Sequence, residues 1–231
     1  MSEKRIIRFL DKNGLLTSLG LKRDSLPKYS DVHPSFILRS LRYYQELESG
    51  GFKGDNNESK IIKDGLTFEN GTRALISCWS HPEHDLLKQS QCVNDPGDDT
   101  IVGAIESNVD EIKKIIDLIT NDKFYGSIRT CGTSHRSVDY SKPHPSKIND
   151  QENEHARHCT YFYKDEKFLC QKEYRFVILL NSTYDFSPET YIARLSNREF
   201  IKKIHLFDKK SFKDIEIQAI NMCYPSIISA F

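Results

Sequence analysis

The chain reads as a single mixed α+β domain spanning residues 1–231, and three observations predict it. Apolar runs of strand length recur along the sequence, as in Arg5–Leu10, Arg73–Ser80 and Phe176–Leu180. Between them lie stretches with apolar residues at helical spacing, the clearest being Ile112, Ile115, Ile116 and Ile119. No internal repeat and no linker composition divides the sequence, so a mixed sheet with flanking helices around one core is the simplest arrangement.

The elements follow in order. Residues 5–10 predict a first strand, and Asp11-Lys-Asn-Gly14 a turn. Leu15 to Leu21 suits a turn or two of helix. Phe36, Ile37, Leu41, Tyr44 and Leu47 predict a helix over 36–48, with Gly50-Gly51 as its cap. Residues 52–60 are polar and loop-like. Arg73 to Ser80 predicts a second strand, and 81–99 is polar with a turn at Asn94-Asp-Pro-Gly97. Thr100 to Glu106 predicts a strand, and Asn108 or Asp110 caps a helix that runs to about Thr120. Tyr125 to Cys131 and Ser137 to Tyr140 suit a hairpin or two short strands. Lys142 to His158, with two prolines and many charges, reads as a long loop. Phe168 to Leu180 reads as one strand that begins polar and ends apolar. Thr190 to Leu195 and Ile201 to Phe207 are further strands, Asp208-Lys-Lys-Ser starts a helix or loop, and an apolar tail follows.

Composition narrows the function classes. Lys and Arg (33) balance Asp and Glu (33), which argues against a dedicated duplex-DNA binder but allows a local basic groove. Arg5, Arg8, Lys22, Arg23 and Lys28 are candidates for such a groove. The six cysteines show no CxxC spacing, and the chain opens on a polar segment. Both features point to a reducing cytoplasm, and no run approaches the roughly 20 apolar residues needed to cross a membrane.

The candidate chemistry centres on Gln171, Glu173 and Arg175. On one strand these alternate residues share a face, and a carboxylate entering a core strand is open to tuning. The plain alternative is an intrastrand salt bridge on a solvated face. Ser77 and Ser80 end another strand beside Trp79. They can orient a ribose or simply terminate the strand, and no G-x-S-x-G elbow surrounds them. Arg8, inside Ile6-Ile7-Arg8-Phe9-Leu10, needs a partner or a ligand anion if it faces the core. His81-Pro-Glu-His84 and His155-Ala-Arg-His158-Cys159 lack the second matched pair of a zinc site, so no metal is expected. No P-loop or G-x-G-x-x-G is present.

In order, Arg8-Phe9, Phe52-Lys-Gly-Asp55-Asn-Asn-Glu58, Ile76-Ser-Cys-Trp-Ser80, Val138-Asp-Tyr140, Phe162-Tyr-Lys164 and Gln171-Lys-Glu173-Tyr-Arg175 resemble a bacterial family of unknown function. Its members show C-[FW]-S and E-x-E-[YW]-R strands. The chain departs from that pattern after Asp55, where proline is missing, and between 81 and 99, where W-x-x-Y is missing. The same arrangement resembles the Arg–Ser–Glu class of ADP-ribosyltransferases. That resemblance implies a split β-sheet core and NAD as substrate, with no metal. It implies Arg8, Ser77 and Ser80 on the dinucleotide, with Tyr174 among the aromatic residues that offer it a stacking surface. It also implies Glu173 as the catalytic carboxylate and Gln171 toward the acceptor. The acceptor would be a protein or single-stranded nucleic acid, in a bacterial toxin or anti-phage effector with a possible antitoxin partner. A non-catalytic binding module on the same fold and an NAD glycohydrolase are the alternatives.

Overall fold

A computed structural model describes residues 4–21, 33–40, 60–63, 66–69, 74–93, 101–121, 130–140, 161–164, 166–180, 190–225 and 228–230. The architecture is mixed α/β. β1 (Arg5–Asp11) pairs antiparallel with β5 (Ala74–Ser80) and β6 (Ile101–Asn108), and β10 (Lys203–Leu206) with β6. β2 (Ser35–Ser40) pairs antiparallel with β5, β3 (Lys60–Lys63) with β4 (Leu66–Glu69) and β7 (Thr130–Ser137) with β8 (Glu173–Leu180), while β10 and β11 (Ile228–Ala230) are parallel. The chain divides into two compact units. One comprises Met1–Ile37, Trp79–Ile115 and Ile192–Phe231, the other Leu38–Cys78 and Ile116–Tyr191.

In the first unit, β1 (Arg5–Asp11) is followed at once by α1 (Lys12–Leu19). Asp11, expected in a turn, caps the helix: its carboxylate accepts the Gly14 N–H at 2.7 Å. The helix stops at Gly20, whose φ of 72° is left-handed and whose N–H closes onto Leu16 and Thr17. A Cβ there would meet the His33 carbonyl carbon at 2.6 Å, so glycine is required on two counts. β6 (Ile101–Asn108) pairs with β1, placing Ile7 opposite Glu106. β10 (Lys203–Leu206) pairs on the other edge of β6, with Lys203 opposite Glu106. The tail, read only as apolar, forms β11 (Ile228–Ala230), parallel to β10.

Helices cover this part of the sheet. α2 (Leu86–Val93) arises within the stretch read only as polar, ahead of the turn signal at 94–97. Its Leu86 packs with Ile7, Phe9 and Ala104 in one cluster. α3 (Val109–Asn121) starts where expected, because Asn108 Oδ1 accepts the Glu111 N–H at 2.9 Å. α4 (Asp214–Cys223) ends at Tyr224, whose hydroxyl donates to the Leu19 carbonyl at 2.8 Å and closes off α1 as well.

The main correction concerns Phe36–Ser40. Residues expected to open a helix form β2 (Ser35–Ser40), and five of its six residues are buried. A strand buried on both faces shows a continuous apolar run, which periodicity alone does not separate from a buried helix. Phe36 stacks on Trp79 at 6.5 Å and meets Phe200 edge-on at 6.3 Å. Residues 41–51 of the expected helix and its cap lie outside the described residues, as does the loop expected over 142–158.

In the second unit, the C-terminal part of β2 pairs with β5 (Ala74–Ser80), with Arg39 opposite Ile76. β8 (Glu173–Leu180) lies between β5 and β7 (Thr130–Ser137). Ala74, Ile76, Tyr161, Phe162 and Val177 form its core, with Cys78 and Leu179 packed against them. β3 (Lys60–Lys63) and β4 (Leu66–Glu69) make a separate two-stranded ribbon, and β9 (Thr190–Arg194) pairs with β2.

Candidate functional site

The segment expected to be one strand from Phe168 onward is broken in two. Residues Glu166–Gln171 form a 3-10 turn, and β8 starts only at Glu173. Lys172 between them is left-handed, with a φ of 46°, an uncommon conformation for a residue with a side chain. Its N–H closes the turn onto the Leu169 carbonyl at 3.2 Å. Gln171 therefore sits buried in the turn and does not share a strand face with Glu173, contrary to expectation. Glu173 and Arg175, two apart on a regular strand, do share one.

Glu173 is the centre of a buried charge cluster. Its Oε1 accepts Lys164 Nζ at 2.8 Å and its Oε2 accepts Arg175 Nε at 2.6 Å. The backbone is fixed too: Glu173 N–H donates to the Tyr140 hydroxyl at 2.9 Å, and its carbonyl accepts the Val138 N–H at 2.9 Å. Arg175 Nη1 donates onward to the Tyr161 carbonyl at 2.9 Å. Lys164 Nζ also lies 4.9 Å from the centre of the Phe168 ring. The side chains of Glu173, Lys164 and Arg175 are 10%, 5% and 3% exposed, so the expected alternative of a solvated salt bridge does not describe this cluster.

Burial by itself pushes the Glu173 carboxyl up. The charges of Arg175 and Lys164, and the hydrogen bonds they donate, outweigh it and hold the group below the ordinary carboxylate range. Burial, with the Glu173 charge beside it, pushes the Tyr140 hydroxyl up, so Tyr140 keeps its proton. The result is an ionised carboxylate in a desolvated place, held from two sides by Lys164 and Arg175.

The other expected residues fall elsewhere. Val177 lies on the Glu173 side of β8 and packs with Ile76 and Cys78. Ser77, between those two, is fully buried and points to the other side of β5. The structure therefore does not bring Ser77 to Glu173. Tyr174 also points away from Glu173, and its hydroxyl meets His135 Nδ1 at 2.8 Å. In the first unit, Ser80 is opposite Ile7, so Ser80 and Arg8 face opposite sides of the sheet. Arg8 is buried and donates from Nη1 to the Ile37 carbonyl at 2.8 Å. Of the expected basic groove, Lys22, Arg23 and Lys28 lie outside the described residues.

Sequence reasoning missed two contributors as site residues, Lys164 and Tyr140. The available signal was their position, each ending an aromatic or β-branched triplet in the motif order. It also missed a second cluster in the first unit, where Glu106 accepts both Arg5 Nε (2.7 Å) and Nη2 (2.8 Å) and contacts His205 Nε2 at 3.2 Å. Among the described residues no group of three His, Cys, Asp or Glu side chains is placed to hold a metal ion, and no helix is long and apolar enough to cross a membrane. No family model, curated protein or solved structure matches this chain.

Proposed function

We propose that the protein is an NAD-dependent ADP-ribosyltransferase with Glu173 as its catalytic carboxylate. The observation that carries this reading is the setting of Glu173, an ionised and desolvated carboxylate at the first residue of a core strand, fixed by Lys164 and Arg175. Each carboxylate oxygen has two lone pairs, so accepting one ion-pair hydrogen bond leaves room for a ribose hydroxyl. In the proposed reaction the bond from ribose C1′ to the nicotinamide nitrogen breaks, and the electron pair leaves with nicotinamide. Positive charge develops on the ribose, and the Glu173 carboxylate stabilises it through the 2′-hydroxyl and by its own charge. The acceptor nucleophile bonds to C1′ and releases its proton. Orientation and electrostatics supply the catalysis, and no strong base is needed.

In this reading Tyr174 and Ser77 leave the dinucleotide-contact set, because each points away from the Glu173 side of its strand. The acceptor is a protein or a single-stranded nucleic acid. A bacterial toxin or anti-phage role with an antitoxin partner fits that chemistry.

The same cluster supports one rival. Both Glu173 oxygens are engaged by cations, as in an ion pair retained for structural specificity, which suits a non-catalytic binding module. Nicotinamide release separates the two. The purified chain, incubated with NAD and cell extract or RNA, should release nicotinamide. Glu173→Gln should lower the rate by at least about 100-fold, the size of losing one preorganised electrostatic contact. Release that needs no acceptor identifies a glycohydrolase. No release under any condition, or an undiminished rate in a natively folded Glu173→Gln, overturns the assignment.

A further inference from the structure

The β7–β8 ribbon carries a second recognition element beside Glu173. Arg136 and Arg175 are direct register partners, so their side chains leave the same face of the ribbon. Like charges directly opposite one another on a sheet destabilise it. The two guanidiniums are resolved differently. Arg175 is buried and bound to Glu173 and to the Tyr161 carbonyl. Arg136 is exposed and lies over aromatic rings, 4.7 Å from the centre of Phe162 and 5.8 Å from that of Tyr163. Lys164 adds a third cation one residue beyond Tyr163. Among the described residues of this stretch, two carboxylates stand near them: Glu173, and Asp139, whose backbone bridges to Tyr163.

This surface therefore presents one exposed planar fork with a half-buried tyrosine ring under it, while Lys164 and Arg175 are buried on Glu173. A guanidinium presents paired donors that match phosphate oxygens, which a lysine ammonium does not. An aromatic–arginine stack accepts the face of a base whatever its sequence. We propose that Arg136, with Tyr163, is a nucleotide-binding element that holds a phosphate on the guanidinium fork and stacks a base against it. Two sources present this chemistry, the diphosphate of a dinucleotide such as NAD and the phosphodiester of a single strand. The element does not depend on chemistry at Glu173, so either proposal can fail while the other stands.

The full-length chain is titrated with NAD by calorimetry and with a labelled single-stranded oligodeoxynucleotide by fluorescence anisotropy. At least one of the two binds. Arg136→Ala weakens that binding about tenfold, the size of one lost base-stacking contact. Arg136→Lys restores only part, because it returns the charge without the fork. Binding of NAD alone assigns the element to the dinucleotide, and binding of the oligonucleotide alone assigns it to the acceptor strand, with Arg136→Ala then reducing the salt slope by about one phosphate contact. If neither ligand binds, or if Arg136→Ala with a native circular dichroism spectrum binds as tightly as the parent, the proposal is wrong.

Discussion

Glu106 in the first unit and Glu173 in the second are both buried strand carboxylates with two basic partners, yet they are built to different ends. Around Glu106 the main partner comes from water: the Arg5 side chain is 62% exposed and grips both oxygens, while His205 approaches from within. Around Glu173 all three charged groups are desolvated. Desolvating several charges costs more than an ordinary ion pair returns, so the second cluster is a weak means of stabilisation. A carboxylate held ionised where water is excluded suits chemistry. A carboxylate clamped by a surface arginine suits fastening β6 to β1.

The largest effect should separate these two designs in stability. Glu173→Gln leaves Lys164 and Arg175 buried without their counter-charge and should cost about 3–5 kcal/mol in urea unfolding. Glu106→Gln leaves Arg5 hydrated at the surface and should cost about 1–3 kcal/mol. Equal costs, or the reverse order, would show that the two clusters do the same job.

Acid unfolding gives a smaller and directional test. Burial raises the Glu106 carboxyl, but His205 and Arg5 outweigh it and bring the group down to about 2 from an ordinary 4.5. A carboxyl lowered on folding contributes stability that is complete above its unfolded value and is lost as pH falls toward the folded one. Urea midpoints should therefore decline between about pH 4.5 and 2. Arg5→Ala should flatten part of that decline and cost less than about 1 kcal/mol at neutral pH, because the arginine is exposed. An unchanged acid profile in Arg5→Ala would remove Arg5 from the clamp.

The smallest effect tests the left-handed residue beside Glu173. Glycine at 172 relieves about 1 kcal/mol of backbone strain and loses a similar amount in chain entropy. Lys172→Gly should thus change stability by no more than about 0.5 kcal/mol. A β-branched Lys172→Val should lose about 1–2 kcal/mol. If valine is tolerated as well as glycine, the left-handed turn is not what sets Glu173 at the start of β8.

Much of the framework was legible because its signals are local. β1, β5 and β6 lie where short apolar runs place them, and the start of α3 follows from Asn108 and the isoleucine spacing. The errors share one cause. Phe36-Ile37-Leu38 carries no period that distinguishes a doubly buried strand from a helix. The polar stretch that contains α2 shows little apolar face until Leu86 meets Ile7 and Phe9. At the site, the Glu173–Arg175 pair was legible from two-residue alternation. The turn that removes Gln171 from it was not, since nothing in Gln171-Lys172-Glu173 requires a left-handed lysine.

By itself the sequence determined the strand-and-helix class, the position of a Glu and an Arg on one strand face, and the presence of Arg8 among the apolar residues of the first strand. Tertiary structure decided the rest of the site. It brought Lys164 from nine residues away and Tyr140 from thirty-three residues away onto Glu173. It also turned Ser77 to the far side of β5. Alternation along one strand follows from backbone geometry at neighbouring residues. Which strand lies alongside it, and in which register, depends on long-range packing that no local pattern carries.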